Sequence, residues 1–186
     1  STQSQPDRGD EWVGGIERRD DSGAIRSMVG VVAHQNLLYG DLTGYENLKF
    51  FGRMYGVKGL EERIDQVLDL VEMKGYAHER MGILSHGMQK RISLARAVIH
   101  DPPILLLDEP ESGLDIEALA VLRNIVMNGG TGRRSVVMTT HNMEYGLSMG
   151  DKIAVLYGGR IVFQGNCNDV NESVIREKYK GYLETE

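Results

Sequence analysis

The sequence predicts an α/β fold: a parallel sheet covered by helices, with a helical lobe inserted into it. Two observations carry the prediction. From Ser85 to Thr140 the apolar pattern alternates helix, strand, helix, strand, the order that builds parallel sheets. Between Gln35 and Ser85 the apolar repeats are helical, so this stretch reads as a lobe apart from the sheet. With 186 residues, the chain holds one ordinary domain with room for such a lobe.

Residues 1–27 are rich in Gly and Asp and show no clear periodicity. "SMVGVVAHQ" is next, a buried strand ending at a polar corner, because Met28, Val29, Val31 and Val32 form a short, largely β-branched run. "TGYENLKFFGRMYGV" opens with Thr43 and Glu46 at capping-box spacing and places Tyr45, Leu48 and Tyr55 on a helical repeat. In "LEERIDQVLDLVEM", Ile64, Val67, Leu68 and Val71 form one buried stripe. Ser85 begins the next helix. Met88, Ile92, Ala95 and Ile99 are its apolar face, and "DPP" at 101–103 stops it. "ILLL" reads as a strand buried on both faces, "IEALAVLRNIVM" as a helix and "SVVMTT" as another strand. "IAVLYGGRIVFQG" is a hairpin, with Gly158 and Gly159 supplying the positive φ angles of its turn. There is no internal repeat and no low-complexity segment.

Composition narrows the function. Apolar residues make up 41% and charged residues 26%, as in globular proteins generally. A net charge of −6 argues against a general nucleic-acid binder. It leaves room for a nucleotide site, where backbone N–H groups and one magnesium ion do the neutralising. The single cysteine, Cys167, rules out an internal disulfide and fits a reducing compartment. No apolar run approaches the length of a membrane span.

Asp108 and Glu109 come directly after "ILLL", at the carboxyl end of a strand, where α/β folds place ligands. An acidic pair there needs an answering cation, and magnesium with nucleotide phosphates supplies one. Alternatively, "DEP" simply opens a turn at Pro110. Ser85 is placed as an N-cap, and its hydroxyl with the adjoining N–H groups of the helix makes either an anion site or an ordinary cap. His141 ends "SVVMTT" and is placed either to bond a terminal phosphate or to serve the fold. Gln35 ends another strand.

Taken in order, "VVAHQ", "LSHGMQKR", "ILLLDEP", "SGLD" and "TTH" resemble the ATP-binding subunit of an ABC transporter, from about Pro6 to the "GGRIVFQGN" hairpin. The resemblance implies a P-loop NTPase-like ABC ATPase core with an inserted helical subdomain. Residues 1–35 are the remainder of the N-terminal part of that core, 36–101 the helical subdomain with the signature, and 102–186 its C-terminal part. By the same resemblance Gln35 is the Q-loop glutamine, touching magnesium through water, and Leu84 to Met88 is the signature. Within the signature, Ser85, Gly87 and Met88 meet the ATP of the opposite subunit. Asp108 is the Walker B aspartate on the magnesium side, Glu109 the catalytic carboxylate, Asp115 part of the D-loop and His141 the switch histidine. The implied cofactors are ATP and Mg2+. The implied partners are a second ABC ATPase subunit, the same or different, and a transmembrane permease docked through the helical subdomain, with no nucleic acid. The implied location is the cytoplasmic face of the inner membrane. "HQNLLYGDLTGYENLKFFGRMYGV" is similar to the ATP-binding subunit of haem exporters, and drug- and polysaccharide-export subunits have similar stretches.

The sequence departs from the family pattern. His86 and Met88 replace a glycine and a glutamine of the usual Leu-Ser-Gly-Gly-Gln signature. The sequence contains no Gly-Lys dipeptide, so it lacks the glycine-rich Walker A cradle, and "PDRGDEWVGG" resembles the segment just after the cradle's helix. The first core strands and the P-loop helix are accordingly expected to be missing. Four or five lost charged hydrogen bonds amount to about 7 kcal/mol, or roughly 10⁵-fold in affinity. The chain alone is therefore expected neither to hold ATP tightly nor to hydrolyse it. Two rival readings are a non-catalytic ABC partner that offers only its signature, and a soluble ABC ATPase of DNA repair. The lobe between Gln35 and Ser85 is too short for the long coiled coil of the latter.

Overall fold

A computed structural model of the chain describes residues 9–17, 19, 21–128 and 134–183, so the Pro6–Arg8 start of the resemblance lies outside it. The chain divides into two compact units, residues 1–139 and 140–186.

The first unit opens with a hairpin, β1 (Trp12–Val13) and β2 (Ile16–Glu17), turned by Gly14 and Gly15 at φ 59 and 81. Helix α1 (Ser22–Met28) comes next, capped by Asp21, whose carboxylate accepts from the Ala24 N–H at 2.8 Å. Both elements fall where the sequence shows no periodicity, because each is too short to display one. Three strands form the sheet: β3 (Val29–Val32), β4 (Ile104–Asp108) and β5 (Ser135–Thr139). They are parallel and adjacent in that order, with Val32 beside Leu107 and Asp108 beside Thr139. The parallel α/β sheet expected from the sequence is therefore present.

Between β3 and β4 lie α2 (Gly44–Met54), α3 (Leu60–Leu70) and α4 (His86–Val98), while α5 (Ile116–Asn128) leads towards β5. The Thr43–Glu46 capping box forms in both directions, at 2.8 and 3.1 Å. The stripe Ile64, Val67, Leu68 and Val71 is buried as expected. Helix α2 packs differently from its sequence reading. Tyr45 and Tyr55 are only half-buried, and the face it turns inward is Gly44, Asn47, Leu48 and Gly52. The glycines allow close approach: a Cβ on Gly52 would come within 2.2 Å of Leu60. Asn47 accepts from the Tyr39 N–H at 2.8 Å and donates to the carbonyls of Tyr39 and Thr43, fixing the chain before α2.

Helix α4 is the centre of the unit. Ile92, Ala95 and Ile99 are fully buried as expected, but burial also takes in Lys90, Arg91 and Ser93, on the sides the apolar repeat leaves polar. Against β3 it comes so close that a Cβ on Gly30 would lie 2.1 Å from the Ala97 carbonyl oxygen. The same face of the sheet carries Val32, Leu105 and Leu107, all at 2% exposure or less. "ILLL" is not buried on both faces: Ile104 and Leu106 are only half-buried, and Val137, beside Leu106, is exposed. The reason is that α4 closes one face and leaves the side chains of the other partly in water.

The second unit contains α6 (Met143–Met149), the antiparallel hairpin of β6 (Lys152–Tyr157) and β7 (Arg160–Asn166), and α7 (Glu172–Leu183). Gly158 and Gly159 turn that hairpin at φ 53 and 76, as the sequence predicts. Met149, Cys167 and Ile175 are buried. No helix among the described residues is long and apolar enough to cross a membrane.

Candidate functional site

The carboxyl ends of the three parallel strands form one edge, and several of the singled-out residues gather on it. Asp108 is the last residue of β4, exposed, and accepts a hydrogen bond from the Thr139 hydroxyl at 2.6 Å. Glu109 is next, with φ 42, a left-handed conformation that costs a non-glycine residue about 1–2 kcal/mol. Its position immediately before Pro110 adds to that cost, because proline steers the preceding residue towards extended backbone. Pairing across the edge holds it there: the Glu109 N–H donates to the Thr139 carbonyl at 3.1 Å and lies 3.2 Å from its hydroxyl oxygen. Gln35 lies three residues beyond the end of β3, in an exposed bend, on the strand that borders β4. His141 belongs to the second unit, exposed and two residues past β5.

The second cluster is the start of α4. Ser85 is its N-cap, and its hydroxyl accepts from the Met88 N–H at 3.3 Å. The first turn carries no acidic residue, so no side chain of the helix itself answers its positive end. Gly87 is half-buried, and a Cβ there would come into ordinary van der Waals contact with the Gly113 carbonyl oxygen, at 3.7 Å. His86 is exposed, and its ring packs over Gly113, which has φ 74. Asp115 caps α5, accepting from the Ala118 N–H at 2.8 Å and from Arg91 at 3.1 Å. The cap's backbone N–H, then Arg91, hold its carboxyl below the usual aspartate range, against the opposing effect of burial.

Four further residues, silent in the sequence motifs, act at these two clusters. Arg91 reaches Glu72, Asp115 and Glu117 at 2.9, 3.1 and 3.7 Å from a nearly buried position, tying α4 to the start of α5. Lys90 is 2% exposed, and burial lowers its pKa while Asp108, Glu111 and Glu109 pull it back up. Its ammonium is thus coupled electrostatically to the carboxylates of the acidic edge. Thr139 pins both acidic residues. Gln89 joins the loop after β3 to the turn before α4 through its carboxamide. A hydroxyl at the end of "SVVMT" beside an acidic pair was a readable signal; the burial of Lys90 was not, because it sits off the apolar repeat.

The described residues hold no group of three or more His, Cys, Asp or Glu placed around a metal. What the edge offers is a pinned carboxylate on Asp108 and, next to it, a second carboxylate on a strained and pinned backbone.

Comparison with known proteins decides the family. The family model described as ABC transporter matches residues 1–112. The chain belongs to the ABC transporter family. Among relatives of this ABC transporter chain, ABC transporter ATP-binding protein NatA of Bacillus subtilis is 30% identical over 91% of the chain and 70% of its own length. A fluoroquinolones export ATP-binding protein of Mycobacterium tuberculosis is 40% identical over 77% of the chain and 48% of its own length. A Nod factor export ATP-binding protein I of Neorhizobium galegae is 35% identical over 81% of the chain and 44% of its own length. The chain thus spans about half the length of several of the curated relatives it matches. Its fold is that of a solved ATP-binding subunit of an ABC transporter, with a TM-score of 0.85 at 22% identity over 95% of this chain and 77% of that one. A dimeric ATP-binding cassette solved with ADP and phosphate gives a TM-score of 0.76 at 24% identity, over 89% and 76%.

Proposed function

We propose that this chain is the signature and Walker B part of an ATP-binding subunit that powers an ABC transporter. The observation that carries the reading is the strand edge, where Glu109 is held at φ 42 by its bond to Thr139 while Asp108 stands exposed beside it. A strained backbone persists only where the surroundings impose it, and such strain collects at functional sites. Asp108 spends one oxygen on Thr139 and keeps the other for a cation. One carboxylate plus phosphate oxygens is a set that suits Mg2+ brought in with a nucleotide. Gln35, in the bend that follows the bordering strand, would share that ion through water. Bound there, Mg2+ would neutralise the phosphates; the part proposed for Glu109 is to orient the attacking water, and that proposed for His141 is to bond a terminal phosphate.

Ser85, Gly87 and Met88 face a second subunit's ATP in this reading. The absence of any acidic residue from the first turn of α4, together with its serine cap, suits an approaching phosphate. Asp115 lies at the turn between the two clusters and would carry the D-loop's part across the dimer. The partner classes are a second ABC ATPase subunit and a transmembrane permease engaged through the helical lobe, residues 36–101. The site of action is then the cytoplasmic face of a membrane. The relatives' names differ in cargo, so energy coupling transfers to this chain and cargo does not.

The test is equilibrium binding of a fluorescent ATP analogue, with magnesium, to this chain and to Asp108→Asn. Binding too weak to detect at millimolar nucleotide is the expected result and assigns the phosphate cradle to residues other than these. Tight, magnesium-dependent binding weakened by Asp108→Asn keeps the metal assignment and overturns the need for a separate cradle. Tight binding indifferent to Asp108→Asn overturns the role given to the edge.

A further inference from the structure

We propose that Gln89 is a positioning residue that ties the Gln35 loop to the Ser85 turn, so that movement of either is felt by the other. Gln35 and Ser85 are fifty residues apart in the chain. Through space they are joined by one carboxamide. The Asn36 amide donates to Gln89 Oε1 at 3.3 Å, and Gln89 Nε2 donates to the carbonyls of Met81 and Leu84, each at 3.0 Å. Asn36 is the residue after Gln35, and Leu84 is the residue before Ser85. One turn further along α4, the Ser93 hydroxyl donates to the Asn36 carbonyl at 3.1 Å and holds the same loop from its backbone.

The chemistry requires an amide at position 89. Only a carboxamide presents two N–H donors to the two carbonyls and still offers an oxygen to Asn36. A carboxylate would lack the donors, and a lysine would lack the acceptor. All three bonds are half-buried, where an unmade bond is costly to leave.

The bridge is also not settled at its Asn36 end. Asn36 Oδ1 is buried without a hydrogen-bond partner, while its amide nitrogen is engaged. A lone buried acceptor favours any rearrangement that brings it a donor. Gln89 is placed to carry any movement of the Gln35 loop into the carbonyls just ahead of Ser85.

The use of the bridge rests on the proposed ATP-binding function, because Gln35 and Ser85 belong to that site. Its existence is tested without nucleotide. Hydrogen exchange of the intact chain is followed at the amides of residues 35–39 and 82–86, in Asn36→Ala, Gln89→Leu and the double variant. Each single variant is expected to speed exchange in both segments, about fivefold for each bond lost. The double is expected to exchange little faster than the quicker single. Gln89→Glu keeps the acceptor and loses both donors, so it should speed residues 82–86 while leaving 35–39 closer to the parent than Gln89→Leu does. A Gln89 that merely caps its own turn would leave 35–39 unmoved. Unchanged exchange at 82–86 in Asn36→Ala, or effects that multiply in the double variant, overturns the proposal. Neither result touches the ATP reading, and failure of ATP binding would leave the bridge intact.

Discussion

The two ends of α4 are built to opposite specifications. At its carboxyl end the last carbonyls are answered by charge: Arg63 donates from Nε to the Ile99 carbonyl at 3.0 Å and from its terminal nitrogen to Val98 at 2.7 Å. Beyond it, Arg134 bonds the Pro102 carbonyl at 2.9 Å and Asp101 at 2.7 Å. At its amino end a single serine hydroxyl closes the helix, no acidic side chain occupies the first turn, and a methyl on Gly87 would meet nothing closer than the Gly113 carbonyl oxygen at 3.7 Å. The macrodipole asks for compensation at both ends alike. Among the described residues, charged side chains meet the carboxyl end and a serine hydroxyl meets the amino end. The difference teaches that the carboxyl end is spent on stability, and the amino end is where we propose an anion is received.

The largest expected effect is therefore at the carboxyl end. Arg63→Met keeps the apolar stem and removes both bonds to half-buried carbonyls, with an expected loss of about 2–3 kcal/mol. Burial lowers the arginine's pKa, yet the side chain remains charged, so the loss should hold across the neutral range. Urea unfolding of the variant reads it directly. A loss under about half a kcal/mol, the low end for one hydrogen bond, would erase the contrast, since the carboxyl end would then be no better anchored than the amino end.

Next in size is a pH dependence at the same end. His100 stacks on Tyr55, with ring centroids 3.9 Å apart, and both ring nitrogens are buried, with the Val29 backbone alone nearby to favour the charged ring and no well-formed hydrogen bond to either. Burial lowers its pKa from 6.5 to about 4. The unfolded chain thus binds a proton that the folded chain refuses, between those two values. Stability contributed by the neutral ring is full above about pH 7 and falls as the pH drops towards 4. At about 1.36 kcal/mol per pH unit the limit is about 3 kcal/mol, and the ring's partial contact with water reduces that to about 1–2 kcal/mol. Denaturant titrations at about pH 7.5 and 4.5, either side of most of that window, compared between the parent chain and His100→Phe, isolate this share. An equal acid loss in both proteins would remove His100 from the account.

How much of this was readable in advance varies along the chain for physical reasons. Two Gly-Gly pairs turn hairpins, at 14–15 and 158–159, both with positive φ. The second was legible because its strands run for six and seven residues. The first was not, because its strands have two residues each, too few to alternate. The positions of Asp108, Glu109 and Ser85 could be read from strand ends and a helix start. Those of Lys90, Arg91 and Gln89 could not, because their parts depend on what packs across α4 and the sheet. A period of 3.6 residues reveals one face of a helix, and α4 is buried on nearly all of them. The half-exposed second face of β4 was missed for the complementary reason: an aliphatic run reads as buried on both sides whether or not both sides are covered.

At the amino end the effects should be smaller. Ser85→Ala removes the one cap and should cost about 1 kcal/mol, whereas Ser85→Gly should cost a few tenths. Thermal melts of the pair give the ratio. Equal losses would mean that the hydroxyl's bond to the Met88 N–H contributes little, and that the turn is held chiefly by Gln89.

The last variant carries the contrast to its limit. Glycine inside a helix costs roughly 0.5–1 kcal/mol relative to alanine, through the freedom it surrenders on folding. Gly87 lies in the first turn of α4 at negative φ, and an added methyl would meet nothing closer than 3.7 Å. Folding by itself therefore favours alanine there, and Gly87→Ala should raise stability by up to about 0.5–1 kcal/mol. The gain matters more than its size, because a residue that weakens the fold and fills no steric need is explained by something that approaches from outside. A measured loss would show that the fold itself requires glycine, and the amino end of α4 would no longer differ in purpose from the carboxyl end. A gain, joined to weaker nucleotide-driven pairing of subunits in the complete transporter, would locate the approaching group over this turn.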